Sequence, residues 1–156
     1  MTLGRPTDYQ RRMAHAAEKW YGEQHIELLD PSPVDTDWYD YKVYHNGREW
    51  TLDVKWTDAV ARGKLPIRLI RKANVARWCD IYVLIWGNER SGFRVLGWCW
   101  GGDLKSRGLD SHMPEPGYAM PSDWLHPGDP VDVLKRLEKR GIRFSAPTGA
   151  LVAEGG

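Results

Sequence analysis

The stretch YDYKVYHNGREWTLDVKW (residues 39–56) alternates apolar and polar side chains on both sides of Asn46-Gly47. A type I′ turn needs φ > 0 at both central positions, and Asn-Gly meets that need at low cost, so the stretch predicts a two-stranded hairpin. With Asn46 and Gly47 as the loop, the register follows. His45 faces Arg48, Tyr44 faces Glu49, Val43 faces Trp50, Lys42 faces Thr51, Tyr41 faces Leu52, and Asp40 faces Asp53. Side chains alternate across a strand. Tyr39, Tyr41, Val43, Trp50, Leu52, Val54 and Trp56 therefore share an apolar face. Asp40, Lys42, Tyr44, Glu49, Thr51, Asp53 and Lys55 share the polar one.

Directly opposed Cβ atoms in such a pair lie ~4.5–5.5 Å apart. Two carboxylates at that separation repel unless a lysine or a divalent cation neutralises them. Mg²⁺ suits the second case, because it takes oxygen ligands and usually binds through one or two carboxylates plus water and phosphate. Lys55 lies on the same face, one strand repeat beyond Asp53. There it could orient or deprotonate a water, or stabilise charge on a phosphate. A solvated hairpin with charges on its wet face has the same spacing, so D-x-K alone leaves both readings open.

The chain has 156 residues, 42% of them hydrophobic, which suits one domain with its own core. The expected domain covers residues 1–144, with 145–156 a flexible tail rich in small residues. Charged residues make up 28%, with a formal net charge of +1. That balance neither demands nor excludes a nucleic-acid partner, so such binding must rely on a local basic patch. Cys79 and Cys99 fall in apolar runs without metal-ligand spacing and read as buried reduced thiols. The opening MTLGRPTDYQRRM lacks the apolar centre of a signal peptide, and no apolar run approaches the ~20 residues of a membrane span. The expected location is the cytoplasm, without membrane partners. The five histidines show no zinc spacing, and no Ser or Cys nucleophile motif or phosphate-cradling glycine loop is present.

The flanking elements read as follows. Thr7 and Gln10 have capping-box spacing, and Tyr9, Met13, Ala16, Ala17 and Trp20 recur at helical spacing up to a stop at Gly22. Residues 28–37 read as a loop, and 57–78 as an ambiguous connection with a basic run. CDIYVLIW (79–86) predicts a central strand covered on both faces, and FRVLGWCW (93–100) a second strand ended by Gly101-Gly102. Residues 103–117 read mostly as loop after one helical turn, and the stretch from 118 as irregular with a short extended piece. Asp129 and Pro130 then open a helix whose Val131, Leu134 and Leu137 face inward, ending at Gly141. The expected architecture is α/β with a central mixed sheet.

Asp40, a hairpin, then Asp53-Val54-Lys55 resembles the core of the PD-(D/E)xK nuclease superfamily, the restriction-endonuclease-like and Holliday-resolvase-like phosphodiesterases. The resemblance spans roughly residues 7–140, with CDIYVLIW similar to the third core strand and the whole closest in style to small phage-borne members. It departs from the motif at Tyr39, which stands where many members have Pro. The resemblance implies a restriction-endonuclease-like core and hydrolysis of DNA, RNA being the lesser candidate, with Mg²⁺ or Mn²⁺ as cofactor. Carried over by position, Asp40, Asp53 and the Val54 carbonyl hold the metal and Lys55 is the catalytic lysine. Glu18 supplies an acid from the first helix, with Glu23 as its alternative. Lys42, Arg68, Arg71, Lys72 and Arg77 are the expected contacts to the phosphate backbone. A homodimer is a further expectation, since cutting two strands needs two sites. The alternative function is an inactive nuclease-fold module that binds nucleic acid or a protein.

Overall fold

A computed structural model describes residues 8–33, 38–45, 47–57, 66–71, 78–107, 109–111, 117–139, 142–145 and 150–153. Helix α1 (Asp8–Gln24) is followed by β1 (Leu29–Pro31), β2 (Tyr41–His45) and β3 (Arg48–Thr57). Then come β4 (Pro66–Arg71), β5 (Ile81–Asn88) and β6 (Gly92–Trp100). The C-terminal part holds α2 (Gly101–Arg107), β7 (Leu109–Ser111), β8 (Gly117–Pro121), α3 (Pro130–Lys139), β9 (Ile142–Ser145) and β10 (Ala150–Ala153). The main sheet has the order β1-β2-β3-β5-β6. Its strands pair antiparallel except β3 and β5, which run parallel, so the sheet is mixed.

The hairpin register is the one the Asn-Gly turn predicts, from His45↔Arg48 to Tyr41↔Leu52. Gly47 has φ 82°, as the turn requires. The faces divide as expected from Tyr41 onward, whereas Tyr39 packs on the opposite face with Tyr82 and Cys79, beside Lys42, because the regular alternation stops before Tyr41. Val43, Trp50, Leu52 and Val54 are buried with Ile81, Val83 and Ile85 against Ala17 and Tyr21 of α1 and Val131 and Leu134 of α3. On the opposite face, Tyr82, Leu84 and Cys99 pack with Leu104 of α2 and Met120 of β8. The main sheet is thus a middle layer with an apolar cluster on each side. Continuous burial of Ile81 to Ile85 follows, since a strand paired on both edges and covered on both faces excludes water from every side chain.

Several elements differ from the sequence reading. Helix α1 runs past Gly22 to Gln24, because Gly22 is tolerated as a point of close contact rather than a stop. Within 28–37, Leu29–Pro31 is a strand, because pairing with β2 satisfies its backbone and buries Leu29. Its Pro31 sits on a sheet edge, where a missing N–H is tolerated. The connection 57–78 contains β4, which joins β8 and β7 in a second, three-stranded antiparallel sheet. β6 ends at Trp100, as Gly101-Gly102 predicts, and Gly101 opens α2 directly after it. Its N–H donates to the Asp80 carbonyl at 2.7 Å, and a Cβ there would collide with the Cys79 carbonyl. Within 145–156, β10 pairs antiparallel with β9. Asn46, Gly141 and Thr7 lie outside the described residues. The α3 cap is as expected, with the Val131 N–H donating to Asp129 Oδ1 at 3.0 Å.

Both cysteines are free and buried. Burial pushes the Cys99 thiol up to about 12, aided by Asp103. Burial also raises the Cys79 thiol, with Asp53 and Asp40 adding to it. Neither thiol is nucleophilic under ordinary conditions. Titration with a thiol-exchange reagent at pH 8 should therefore detect no reactive cysteine in the native protein and both after denaturation. Rapid labelling of either in the native state would contradict this packing.

Candidate active site at the end of a short strand

Strand β2 begins at Tyr41, whereas β3 continues five residues beyond Tyr41's partner, to Thr57. On that side, β3 leaves β2 behind while β5 still flanks it on the other, pairing Leu52↔Ile81 through Thr57↔Trp86. Backbone groups of β3 that face the gap need other partners. Asp40 supplies one: its Oδ2 accepts the Val54 N–H at 2.7 Å.

Asp40 does not simply continue the ladder opposite Asp53. Its N–H donates to the Leu52 carbonyl at 2.9 Å, although Leu52 already faces Tyr41. Two residues of one strand thus oppose one of the other, as in a β-bulge, which re-aims a side chain. The Asp40 carbonyl accepts from the Ser32 N–H at 2.9 Å, so the displaced backbone is held on its other side too. The turn predicts the juxtaposition of Asp40 and Asp53. The bulge changes how it is made, with the Asp40 side chain reaching along β3 towards Val54.

Asp53 and Lys55 project from the polar face, and Lys55 Nζ lies 2.8 Å from Asp53 Oδ2. Asp53 is the more enclosed, its side chain 14% exposed against 33% for Lys55. Burial alone would lower the Lys55 pKa, but Asp53 and then Asp40 outweigh it and hold the ammonium above its ordinary value. A lysine held charged donates and stabilises negative charge; it does not serve as a base near neutral pH. Asp40 behaves in the opposite way. Burial, a hydrogen bond to Asp53, the Asp53 charge and the Glu18 charge all raise it well above the carboxylate range. The Val54 N–H pulls it down by less. Asp40 therefore keeps its proton beside Asp53 when nothing else offsets the burial and the neighbouring charge.

Glu18 of α1 acts electrostatically on this cluster, raising Asp40, whereas Glu23 acts on Tyr41. Burial raises the Glu18 carboxyl, His15 opposes the rise, and Asp53 and Lys55 act on it in opposite directions. The helix lies on the apolar face of the sheet, yet the Glu18 charge is felt by these groups of the polar face. Cys79, just before β5, also borders the cluster and donates to the Trp38 carbonyl at 2.9 Å. Its proximity to the carboxylates is set by the parallel β3–β5 pairing, which no local pattern in the sequence reveals.

A second acid nearby clarifies what is unusual. Asp80 accepts the Thr51 N–H at 2.9 Å and the Thr51 hydroxyl at 3.2 Å through Oδ2, and pairs with Arg48 at 3.0 Å through Oδ1. Arg48 in turn stacks on Trp50 at 3.8 Å. Asp80 is a neutralised structural acid that pins β5 to β3. Asp40 has one backbone donor and another carboxyl as neighbours. The basic residues expected to contact DNA are dispersed. Lys42 lies 5.2 Å over the Tyr39 ring and 3.5 Å from Glu49. Arg68 and Arg71 belong to β4 in the second sheet, while Lys72 and Arg77 lie outside the described residues.

Could this cluster hold a divalent cation? Among the described residues, no three His, Cys, Asp or Glu side chains form a ligand set for a metal. Asp40 and Asp53 offer two carboxylates. The Val54 carbonyl faces the same gap as the Val54 N–H, because both groups of a strand residue point to one side. Two carboxylates and a carbonyl suit Mg²⁺, which keeps much of its water. The contact between two carboxyls is where a cation fits in place of the Asp40 proton.

No family model, curated protein or solved structure matches this chain. The cluster itself makes a pH-dependent prediction for the protein kept in EDTA. The native Asp40 carboxyl binds its proton more tightly than the unfolded one, whose ordinary value is 3.8. Its contribution to stability is therefore fullest below that value and is lost as pH rises from there until the native carboxyl also ionises. Urea unfolding at pH 5 and pH 8 should show this loss in wild type, and Asp40→Asn should reduce the difference. An unchanged difference would show that Asp40 is not the group responsible.

Proposed function

We propose that this protein is a metal-dependent nuclease that hydrolyses phosphodiester bonds in DNA. The observation that carries the reading is the meeting of Asp40, Asp53, Lys55 and Glu18 where β2 stops short of β3. A chance D-x-K on a solvated strand would leave these groups apart and separately hydrated. Here Asp40, Asp53 and Lys55 meet in a partly enclosed place, and the Glu18 charge acts on them. The PD-(D/E)xK pattern of the sequence assigns the same residues, which supports a restriction-endonuclease-like core within the α/β architecture.

Asp40 and Asp53, with the Val54 carbonyl, would hold Mg²⁺ or Mn²⁺. When bound, such a cation offsets charge on phosphoryl oxygens and makes water more acidic. The protein's own groups supply the rest. The Val54 N–H fixes the Asp40 carboxylate, leaving its other oxygen for the metal. The Lys55 ammonium, poised beside Asp53, stabilises the extra charge that develops on the phosphoryl group. Glu18 would orient an attacking water by accepting its hydrogen bond. Lys42 and the β4 arginines, Arg68 and Arg71, are candidates to hold the phosphate backbone, with Lys72 and Arg77 beside them in sequence.

Purified protein incubated with plasmid, linear, single-stranded and branched DNA should cut at least one substrate with Mg²⁺ or Mn²⁺, and none with EDTA. Asp53→Ala and Lys55→Ala should each lower the rate by about 100-fold or more. A Lys55→Ala variant that cuts as fast as wild type would remove Lys55 from the chemistry. Absence of both cleavage and metal binding in wild type would favour the inactive binding module.

A further inference from the structure

Tyr41 directly follows Asp40, and its hydroxyl donates to the Glu18 carbonyl at 2.7 Å. A single phenol therefore bridges the backbone of one acid of the cluster to the residue adjoining another. The bridge runs through the place where Gly22 sits one helical turn beyond Glu18. A Cβ at Gly22 would collide with the Tyr41 hydroxyl and come within 2.7 Å of its Cζ. Glycine inside a helix is destabilising relative to alanine, so its presence needs a local reason, and the approach of Tyr41 is that reason. In a helix the Glu18 carbonyl also faces the Gly22 N–H, and a carbonyl has two lone pairs to serve both donors.

The helix is secured behind this contact. Tyr21, whose ring lies 6.5 Å from that of Tyr41, donates to Asp129 Oδ1 at 2.7 Å. His25 Nε2 lies 2.6 Å from Asp129 Oδ2. These contacts anchor the C-terminal end of α1 to the start of α3. Ala17 and Tyr21 also share a buried cluster with Leu52 and Val54 of β3, and the Tyr41 hydroxyl adds a polar contact from β2 to the Glu18 backbone.

We infer that Tyr41 is a positioning residue of the carboxylate cluster, and that Gly22 provides the opening through which its hydroxyl sets how far Glu18 reaches towards Asp53 and Lys55. The catalytic half of this inference rests on the nuclease reading. Its mechanical half does not.

Tyr41→Phe keeps the ring and deletes the one hydroxyl. In the expected result, kcat falls about 10-fold while KM for DNA stays within about twofold, as for a group misplaced without loss of substrate contacts. Amide hydrogen exchange should rise in the second half of α1 and remain unchanged in β3 and β5. Gly22→Ala forces the same hydrogen bond open, so the double variant should be no slower than the slower single one. Wild-type kcat in Tyr41→Phe overturns the inference, as do a lower kcat without a change in α1 exchange and strictly multiplicative losses in the double variant. If wild type neither cuts DNA nor binds Mg²⁺, the nuclease reading falls and takes the catalytic half with it. Exchange then still decides whether the hydroxyl holds the helix, so the two failures are told apart.

Discussion

The early end of β2 is the constraint on which the rest of the site depends. A strand that stops while its neighbour continues leaves backbone groups facing a gap, and each must find a partner or face water. Here the gap is filled by a side chain, not by another strand. Asp40 takes the Val54 N–H, and to reach it the backbone bulges against Leu52. Glu18 of α1, a helix packed on the apolar face, acts electrostatically on the same carboxyls.

The acids around β3 divide by what surrounds them. Asp80 has a guanidinium, a backbone N–H and a hydroxyl, enough to hold its charge at little cost. Asp40 and Asp53 have each other, with Lys55 paired to Asp53 at 2.8 Å. A fold selected only for stability would replace one of two touching carboxyls. Retaining both within a partly enclosed cluster is the pattern expected where charge is kept for use rather than for packing.

Much of this arrangement is legible in the sequence because it is local. Asn46-Gly47 sets the hairpin register, and alternation sets which face Asp53 and Lys55 occupy. Asp129-Pro130 marks the start of α3 by the same kind of short-range chemistry. What escaped the sequence depends on distant partners. Leu29–Pro31 is a strand only because β2 lies beside it. Pro66–Arg71 is a strand only because β8 does. Gly22 resembles a helix stop until the ring of Tyr41, far along the chain, is placed against it. The bulge at Asp40 likewise needs Ser32 and Leu52 at once, and no periodicity encodes that.

The parallel pairing of β3 with β5 has a consequence for how the protein assembles. A hairpin closes through contacts near in sequence, whereas parallel neighbours must wait for a long crossover to return. Glu18, Asp40, Asp53 and Lys55 all precede β5 in the chain, so the whole cluster belongs to the N-terminal segment while the strand that flanks the other edge of β3 is supplied from beyond the crossover. The burial of Ile81 to Ile85 therefore ties the surroundings of the cluster to a non-local pairing.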